Sequence, residues 1–493
     1  MMDKIGKAMD CAGNRIRALL LAAAGNVSLF LFAAFLSTSF LGSELFTWHS
    51  EATAMFERYV VVPWGMALCL LRLERRNRLD AAPRRWDLGV LFVLLMWVIV
   101  PYGIRFGMTF NNMGSWQAHC AGYFGLYAML SEQTREQRER LFDQACVLFG
   151  AFSLVMGGAL LYCAVTGARI DSNWIVHYGT YNEGGFSFGV FERAHLCTGL
   201  HYNITGMMAL PCAMFSLAGM FRSKNKLMRF GYLLAAVMMM IVIVLTQSRT
   251  SRYVLIAALG AGVYGWLTGT RRLPNLVIRH AAGLLAAAVV MVSAYVGASM
   301  LNDAALKHYA DLENQKTVSV IPVAVAEETK DQQEKPLVEA KEARVAVDAT
   351  LSGRTDIWRN LVNYWKENPK ELFIGAGIGK IGSRIVKGTI HEENGSVAIH
   401  NSYLQHTADF GLIGSGLLAL FLMLILAPVL RVFYAAGDHQ TPGYRVLCML
   451  VVASLLTGLM ESATFGAMTG VNSTMLFALA LLVPRGMEIK AGK

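Results

Sequence analysis

Apolar runs of about 20 residues recur along this chain between residues 17 and 484, separated by short clusters of charge. Wound as an α-helix at about 1.5 Å per residue, such a run matches the hydrocarbon thickness of a bilayer. Hydrocarbon offers the backbone no hydrogen-bonding partner, so each crossing must satisfy itself as a helix or close into a barrel, and the apolar/polar alternation of barrel strands is absent. The pattern predicts an all-α integral membrane protein, a bundle of about 12 transmembrane helices with a large, partly helical extracytoplasmic loop before the last three spans. Spans are expected near 17–42, 56–73, 86–104, 114–130, 142–166, 196–221, 228–246, 253–268, 281–301, 403–430, 445–463 and 466–484. The first is read as a retained span, because no convincing small-residue cleavage site follows it. Composition agrees: 55% of the 493 residues are hydrophobic and 16% charged, too apolar for a soluble protein of this size.

The net charge of +10 raises the question of nucleic acid, but the basic residues sit in short clusters between apolar runs, as in cytoplasmic loops. Arg75, Arg76, Arg78, Arg84 and Arg85 form one such cluster, followed by Arg135, Arg138 and Arg140, by Arg222, Lys224 and Lys226, and by Arg271, Arg272 and Arg279. They fall in alternate loops, which predicts a multi-pass protein of the inner (cytoplasmic) membrane with both termini cytoplasmic, and excludes a nucleic-acid partner. The expected organisation is residues 1–301 as the first nine spans, 302–402 as the outer loop, 403–484 as the last three spans and 485–493 as a cytoplasmic tail.

Two segments make up the outer loop. Residues 302–352 are read as a flexible insert, since the stretch KTVSVIPVAVAEETKDQQEKPLVEAKEARVAVD is charged, rich in Ala, Val and Glu, and lacks aromatic residues. Residues 353–402 are read as the active-site segment. Ile357, Leu361, Tyr364 and Trp365 recur at helical spacing in GRTDIWRNLVNYWKENP, which predicts an amphipathic helix ending before Pro369 and lying on the membrane or on the bundle. The GIGKIG stretch from Gly377 to Gly382 matches GxGxxG by letter, but a dinucleotide fingerprint needs a cytosolic βαβ unit around it, and this copy lies in an outer loop. The cysteines lie mostly inside apolar runs, at Cys69, Cys120, Cys146, Cys163, Cys212 and Cys448, with no CxxC pair and none in the outer loop, so neither a disulfide framework nor a thiolate metal site is indicated.

The chemistry-bearing candidates are basic residues at the outer ends of spans: Arg193 in GVFERAHLCTGLHYN, Arg249 and Arg252 in LTQSRTSR, Arg354 in SGRTDIW, and His400 in IHNSYLQ. An Arg near hydrocarbon is costly unless it is solvated or paired, so each one either reaches the headgroups or faces a cavity. Several converging guanidinium groups suit a pyrophosphate at the membrane surface, because they recognise phosphate in a bidentate, permanently charged manner. Glu461, near the outer end of the eleventh span, orients a base, binds sugar hydroxyls or serves a helix–helix hydrogen bond. Trp358, Tyr364, Trp365 and Tyr403 are read first as interfacial anchors and second as sugar-stacking surfaces.

These segments resemble the O-antigen ligase and polymerase superfamily of membrane glycosyltransferases. The resemblance rests on Ser248-Arg249 at a span boundary, on Gly353-Arg354 through Trp358, on LFIGAGIG, and on HNSYL from His400 to Leu404 entering a span, together with their order and the span layout. The family often shows Pro-Asn after the first arginine, where this chain has His201-Tyr202-Asn203. The resemblance implies transfer of a glycan from a polyprenyl-pyrophosphate carrier to an acceptor hydroxyl of a glycan or lipid at the outer face of the inner membrane, as in lipopolysaccharide and other cell-envelope polysaccharide synthesis. Under it His400 is the catalytic base, and Arg249, Arg354 and Arg193 bind the pyrophosphate. Arg252, Asn401, Tyr403, Glu461, His201 and Asn203 support them, and no metal or other cofactor takes part. Attack opposite the leaving group inverts the anomeric centre. His391, His406, His195 and His201 compete with His400, His201 foremost.

A ligase and a repeat-unit polymerase differ only in the acceptor, and the sequence leaves that open. A transporter of lipid-linked glycans is the reading from another class. It is disfavoured because no internal repeat is found and the unusual charges lie at the ends of spans rather than at mid-membrane.

Overall fold

The structure is a computed structural model that describes residues 60, 64, 85–106, 126–168, 170–173, 185–191, 195–197, 202–269, 275–318, 354–387, 397–435, 441–462 and 470–490. The expected span near 17–42, nearly all of 56–73 and most of 114–130 lie outside these residues, as do Arg193, His201 and His391.

Helices dominate the described residues: α1 (Trp86–Phe106), α2 (Arg135–Thr166), α3 (Tyr202–Arg222), α4 (Lys226–Leu245), α5 (Arg249–Gly269), α6 (Leu276–Val318), α7 (Arg354–Glu367), α8 (Pro369–Ile374), α9 (Ser402–Tyr434), α10 (Thr441–Met460) and α11 (Gly470–Lys490). Six are long and apolar enough to cross a membrane, namely Arg135–Thr166, Tyr202–Arg222, Lys226–Leu245, Val277–Leu312, Ser402–Tyr434 and Pro442–Met460. The protein is a multi-pass membrane protein.

Local chemistry sets where these helices begin and end. Thr134 and Gln137 close a reciprocal capping box at the start of α2, and Gly167, at φ 65°, ends it. Asn225 accepts hydrogen bonds from the Leu227 and Met228 amides, so three residues suffice to turn α3 into α4. Between α4 and α5 the chain turns through Gln247 at φ 56°, and the Ser248 hydroxyl accepts from the Ser251 amide to cap α5.

The core sits where α3 meets α2, α4 and α10. Phe149 stacks on Phe215 at 4.6 Å between ring centres, and Phe477 of α11 reaches the same ring at 5.8 Å. From Met475 to Val483 α11 is buried on every side, which accounts for its lack of a polar face. One end of the bundle is braced by ions: Arg222 bridges Glu139 at 2.9 Å and Asp143 at 2.7 Å, Arg138 pairs with Glu488, and Tyr444 donates to Glu139 at 2.8 Å. Several of the basic residues read as loop charges are therefore buried braces.

Three expectations need correction. Residues 170–197 hold a small antiparallel sheet of order β1-β2-β3, with β1 (Ile170–Asn173) paired to β2 (Gly185–Phe191) and β2 to β3 (His195–Cys197), so the span expected from 196 begins instead at Tyr202. The fold is thus almost, rather than wholly, helical. The helix expected to end at 301 continues to Val318, so the start of the 302–352 segment is helical; on the way His308 Nε2 meets the Val165 carbonyl at 2.8 Å. Third, of the two covers expected for α7, membrane or bundle, the membrane is the one that fails: its apolar face packs in a small core that includes Ala408 of α9. Ile357, Leu361 and Trp365 are buried with Ala376, Ile381, Ile385, Val397 and Ile399 in a small separate core.

Candidate functional site

The site is built at the end of the bundle where α5 starts, α10 ends and α9 begins. His400 immediately precedes α9 and sits at φ 53°, in the left-handed region that a residue with a Cβ rarely adopts. Its neighbours hold it there. Asn401 caps α9 by accepting from the Tyr403 and Leu404 amides at 3.0 Å each, and its Nδ2 donates to the Leu459 carbonyl at 3.0 Å. Ser402 donates to the Glu461 carbonyl at 2.6 Å, Tyr403 to the Leu455 carbonyl at 3.0 Å, and Trp358 of α7 to the Ile399 carbonyl at 2.9 Å. Asn401, Tyr403 and Trp358 are therefore struts between α7, α9 and α10.

Glu461, just past the end of α10, is the hub. His400 Nδ1 lies 3.3 Å from its Oε2, and Arg354 donates to its Oε1 at 2.9 Å and to the Met460 carbonyl at 2.7 Å. The Thr250 hydroxyl, in the first turn of α5, is 3.4 Å from the same Oε1. Glu461 is 8% exposed, Arg354 15% and His400 33%, so the carboxylate is sealed beneath the two cationic or basic groups while the imidazole reaches outward. Burial alone would raise the Glu461 carboxyl pKa. The His400 hydrogen bond and the Arg354 charge outweigh burial and hold it below its ordinary value. A carboxylate can only accept, so the imidazole tautomer that makes this bond carries its proton on Nδ1 and turns the Nε2 lone pair away from Glu461.

Arg249, next to Thr250, opens α5 and is exposed, and Arg252 follows one turn later with its guanidinium 5.5 Å from the Tyr253 ring centre. Two arginines in the first turn oppose the helix dipole, which disfavours cations there by about 0.3–1 kcal/mol each. Helix stability does not account for them, and an anion at this helix start would answer the two arginines. At Gly206 of α3 a Cβ would collide with Ser251, so this glycine lets α3 close on the start of α5. Asn203, one turn before it, is half-buried on the same helix.

The glycine-rich turn serves this site indirectly. Gly375, Gly377 and Gly379 have φ of 96°, 90° and 66°, which explains glycine at those positions without any nucleotide. The turn lies against α9: the Ala376 amide donates to the Ala408 carbonyl at 2.8 Å, the Gly377 amide to the Asp409 carbonyl at 3.0 Å, and the Gly379 amide to Asp409 Oδ1 at 3.1 Å. Gly411, at φ 71°, kinks α9 there, and a Cβ on it would strike the Phe373 backbone. Further out, Arg384 binds the Tyr364 hydroxyl at 2.6 Å and Glu371 at 2.9 Å, a brace for the small core.

Of the residues expected from sequence, His400, Arg354 and Glu461 are in direct contact, and Arg249 adjoins the cluster through Thr250. His406 is buried inside α9, with Nε2 3.4 Å from the Gly414 carbonyl, and His195 lies in β3. Thr250 and Ser402 went unnoticed because hydroxyls in helix starts read as caps; being two residues after His400 and one after Arg249 was the available signal. An open groove of about 940 Å³, lined by Arg135, Glu136, Glu139 and Arg140 among others, lies at the opposite end of the bundle, on the side of the ion braces.

Residues 234–419 match the family model of O-antigen ligases. The O-antigen ligase-like stretch is less than half of the chain, yet it contains Arg249, Arg252, Arg354 and His400, and it runs from α4 to the spanning part of α9. Glu461 and Asn203 lie outside it. This is a family of membrane glycosyltransferase-type enzymes that act on lipid-linked glycans. No curated protein matches the chain.

Proposed function

We propose that this protein transfers a glycan from a polyprenyl-pyrophosphate carrier to an acceptor hydroxyl at the outer face of the inner membrane, as an O-antigen ligase. The observation that carries this reading is the hydrogen-bonded cluster of Arg354, Glu461 and His400 beside the arginine-bearing start of α5. His400 is the general base: Nδ1 is occupied by Glu461, and Nε2 takes the proton of the acceptor hydroxyl as its oxygen attacks the anomeric carbon. The bond from that carbon to the phosphate oxygen breaks on the opposite face, which inverts the centre and releases polyprenyl pyrophosphate. Arg249 and Arg354, with Arg193 and Arg252, hold the phosphates and offset the charge that grows on the leaving oxygen, so no metal is required. Both termini are cytoplasmic in this reading, and residues 353–402 cover the site from outside.

The test is transfer by the purified protein from a radiolabelled polyprenyl-pyrophosphate glycan to candidate lipid and glycan acceptors in the presence of EDTA. Release of polyprenyl pyrophosphate that depends on an acceptor supports the reading, and an acceptor that is itself a lipid-linked repeat unit would mark a polymerase instead. Strict dependence on a divalent cation would overturn the arginine clamp.

A further inference from the structure

Beyond the site, α8 presents an apolar side chain with no cover. Phe373 is 54% exposed, a large exposure for an aromatic residue in a segment whose other apolar side chains are mostly inward. It lies against the kink of α9, since the Phe373 backbone occupies the place where a Gly411 side chain would stand. Directly after that kink α9 begins an exposed apolar stripe, with Leu412 at 44%, Ile413 at 43%, Leu420 at 40%, Met423 at 62% and Leu426 at 50%. In a membrane-spanning helix such a stripe faces lipid. From Gly411 to Tyr434 the helix is about 35 Å long, enough for the hydrocarbon core with little to spare. The kink therefore lies near the boundary between hydrocarbon and headgroups, and the exposed Phe373, whose backbone packs against it, stands at the same level.

Lys370, one turn before Phe373 on α8, is also exposed. An aromatic ring at the acyl boundary with a lysine reaching to the phosphates is how helices rest in the interface. Rigid coupling to the site follows from the same turn: its amides are bound to Ala408 and Asp409, on the helix that starts two residues after His400.

We propose that α8 seats residues 354–387 on the membrane leaflet at the site end of the bundle, with Phe373 among the acyl chains and Lys370 at the lipid phosphates. The bilayer then fixes the height of His400, through the glycine turn, relative to any substrate anchored in the same leaflet.

The full-length protein, reconstituted in vesicles of phosphatidylethanolamine and phosphatidylglycerol, tests this with a photo-crosslinking benzoylphenylalanine in place of Phe373, Leu412 or Arg359. Leu412 represents the lipid-facing stripe, and Arg359, 70% exposed on α7, a water-facing position. The expected result is a phospholipid adduct, read by intact mass, at 373 in a yield within about twofold of that at 412 and well above that at 359. Adducts at 412 with none at 373 above the level at 359 would overturn the proposal, and so would a protein–protein crosslink at 373 in place of lipid. The readout needs no activity, so it stands or falls separately from the transferase reading. In the second arm, Phe373→Asp should leave the protein inserted but raise protease access to 354–387; unchanged access would also count against seating.

Discussion

Glu461 Oε2 lies 3.3 Å from His400 Nδ1, although the two residues are 61 positions apart, one just before α9 and the other just past α10. The same carboxylate receives Arg354, so one acidic group holds both the imidazole and the guanidinium. Its loss should be felt by both.

His400→Ala should lower transfer by about 10²–10⁴-fold, the usual contribution of a general base, with membrane-inserted protein unchanged. Transfer assays on equal amounts of inserted protein check this. Full activity of the variant would place the base elsewhere.

Arg354→Lys should also fail. The guanidinium serves the Met460 carbonyl and Glu461 at once, and a lysine ammonium cannot span the two with the same fork. Donor binding, measured by equilibrium retention of the polyprenyl-pyrophosphate glycan, should weaken by at least about tenfold, or ~1.4 kcal/mol.

Glu461 links stability to pH. Its carboxyl pKa is held below the ordinary 4.5, so its contribution is present in full above that value and disappears as pH falls through the lower, folded-state value. Thermal unfolding in detergent should show a loss of stability below about pH 4.5 that Glu461→Gln flattens. The same variant should lower kcat more than donor affinity, because a neutral amide still accepts from Arg354 but no longer steadies an imidazolium. An equal drop in melting temperature with pH in both proteins would show that the carboxylate is not ionised in this way.

Gly411→Ala and Gly375→Ala should each destabilise the contact between the glycine turn and α9 by ~2 kcal/mol or more. A Cβ at either position meets backbone atoms that cannot rotate away, and both glycines have positive φ. Hydrogen exchange should show faster opening of 369–387 in both variants, while the α2 amides stay as protected as in the parent.

Arg222→Ala addresses the opposite end. The side chain is 5% exposed, pairs with Glu139 and the exposed Asp143 and lies 4.3 Å from the Phe142 ring centre, so removal leaves Glu139 with Tyr444 but without its cation. Unfolding should become easier by about 1–3 kcal/mol, with donor affinity of the remaining folded protein unaltered.

The apolar segments were legible, because a span must be apolar over a fixed length: the spans expected from 142, 196, 228, 281, 403 and 445 coincide with the six helices long and apolar enough to cross a membrane, whereas those expected at 86–104, 253–268 and 466–484 coincide with helices outside those six. Their ends were less so. Asn302 to Val318 continues α6 with polar residues that no length rule distinguishes from a loop, and GFSFGVF gives too short an alternation to be told from the approach to a span. Arg354, His400 and Glu461 each stood out as charges near hydrocarbon, but their contact did not, since separations of 61 and 107 residues leave no trace in local spacing. The amphipathic period of α7 was read correctly and its partner was left open between membrane and bundle: a periodic apolar face shows that something covers it, not whether that cover is lipid or Ile381, Ile385 and Val397.

The hub at residue 461 has a consequence for biogenesis. Synthesis runs from the N-terminus, so Thr250, Arg354 and His400 are all made before the carboxylate that joins them. A nascent chain that has completed α9 holds His400 and Arg354 without their common anchor, and it gains the assembled cluster only once the residue after α10 has been made. Stalled intermediates ending at 440 should therefore lack the assembled cluster, and transfer should appear only in chains that extend past 461.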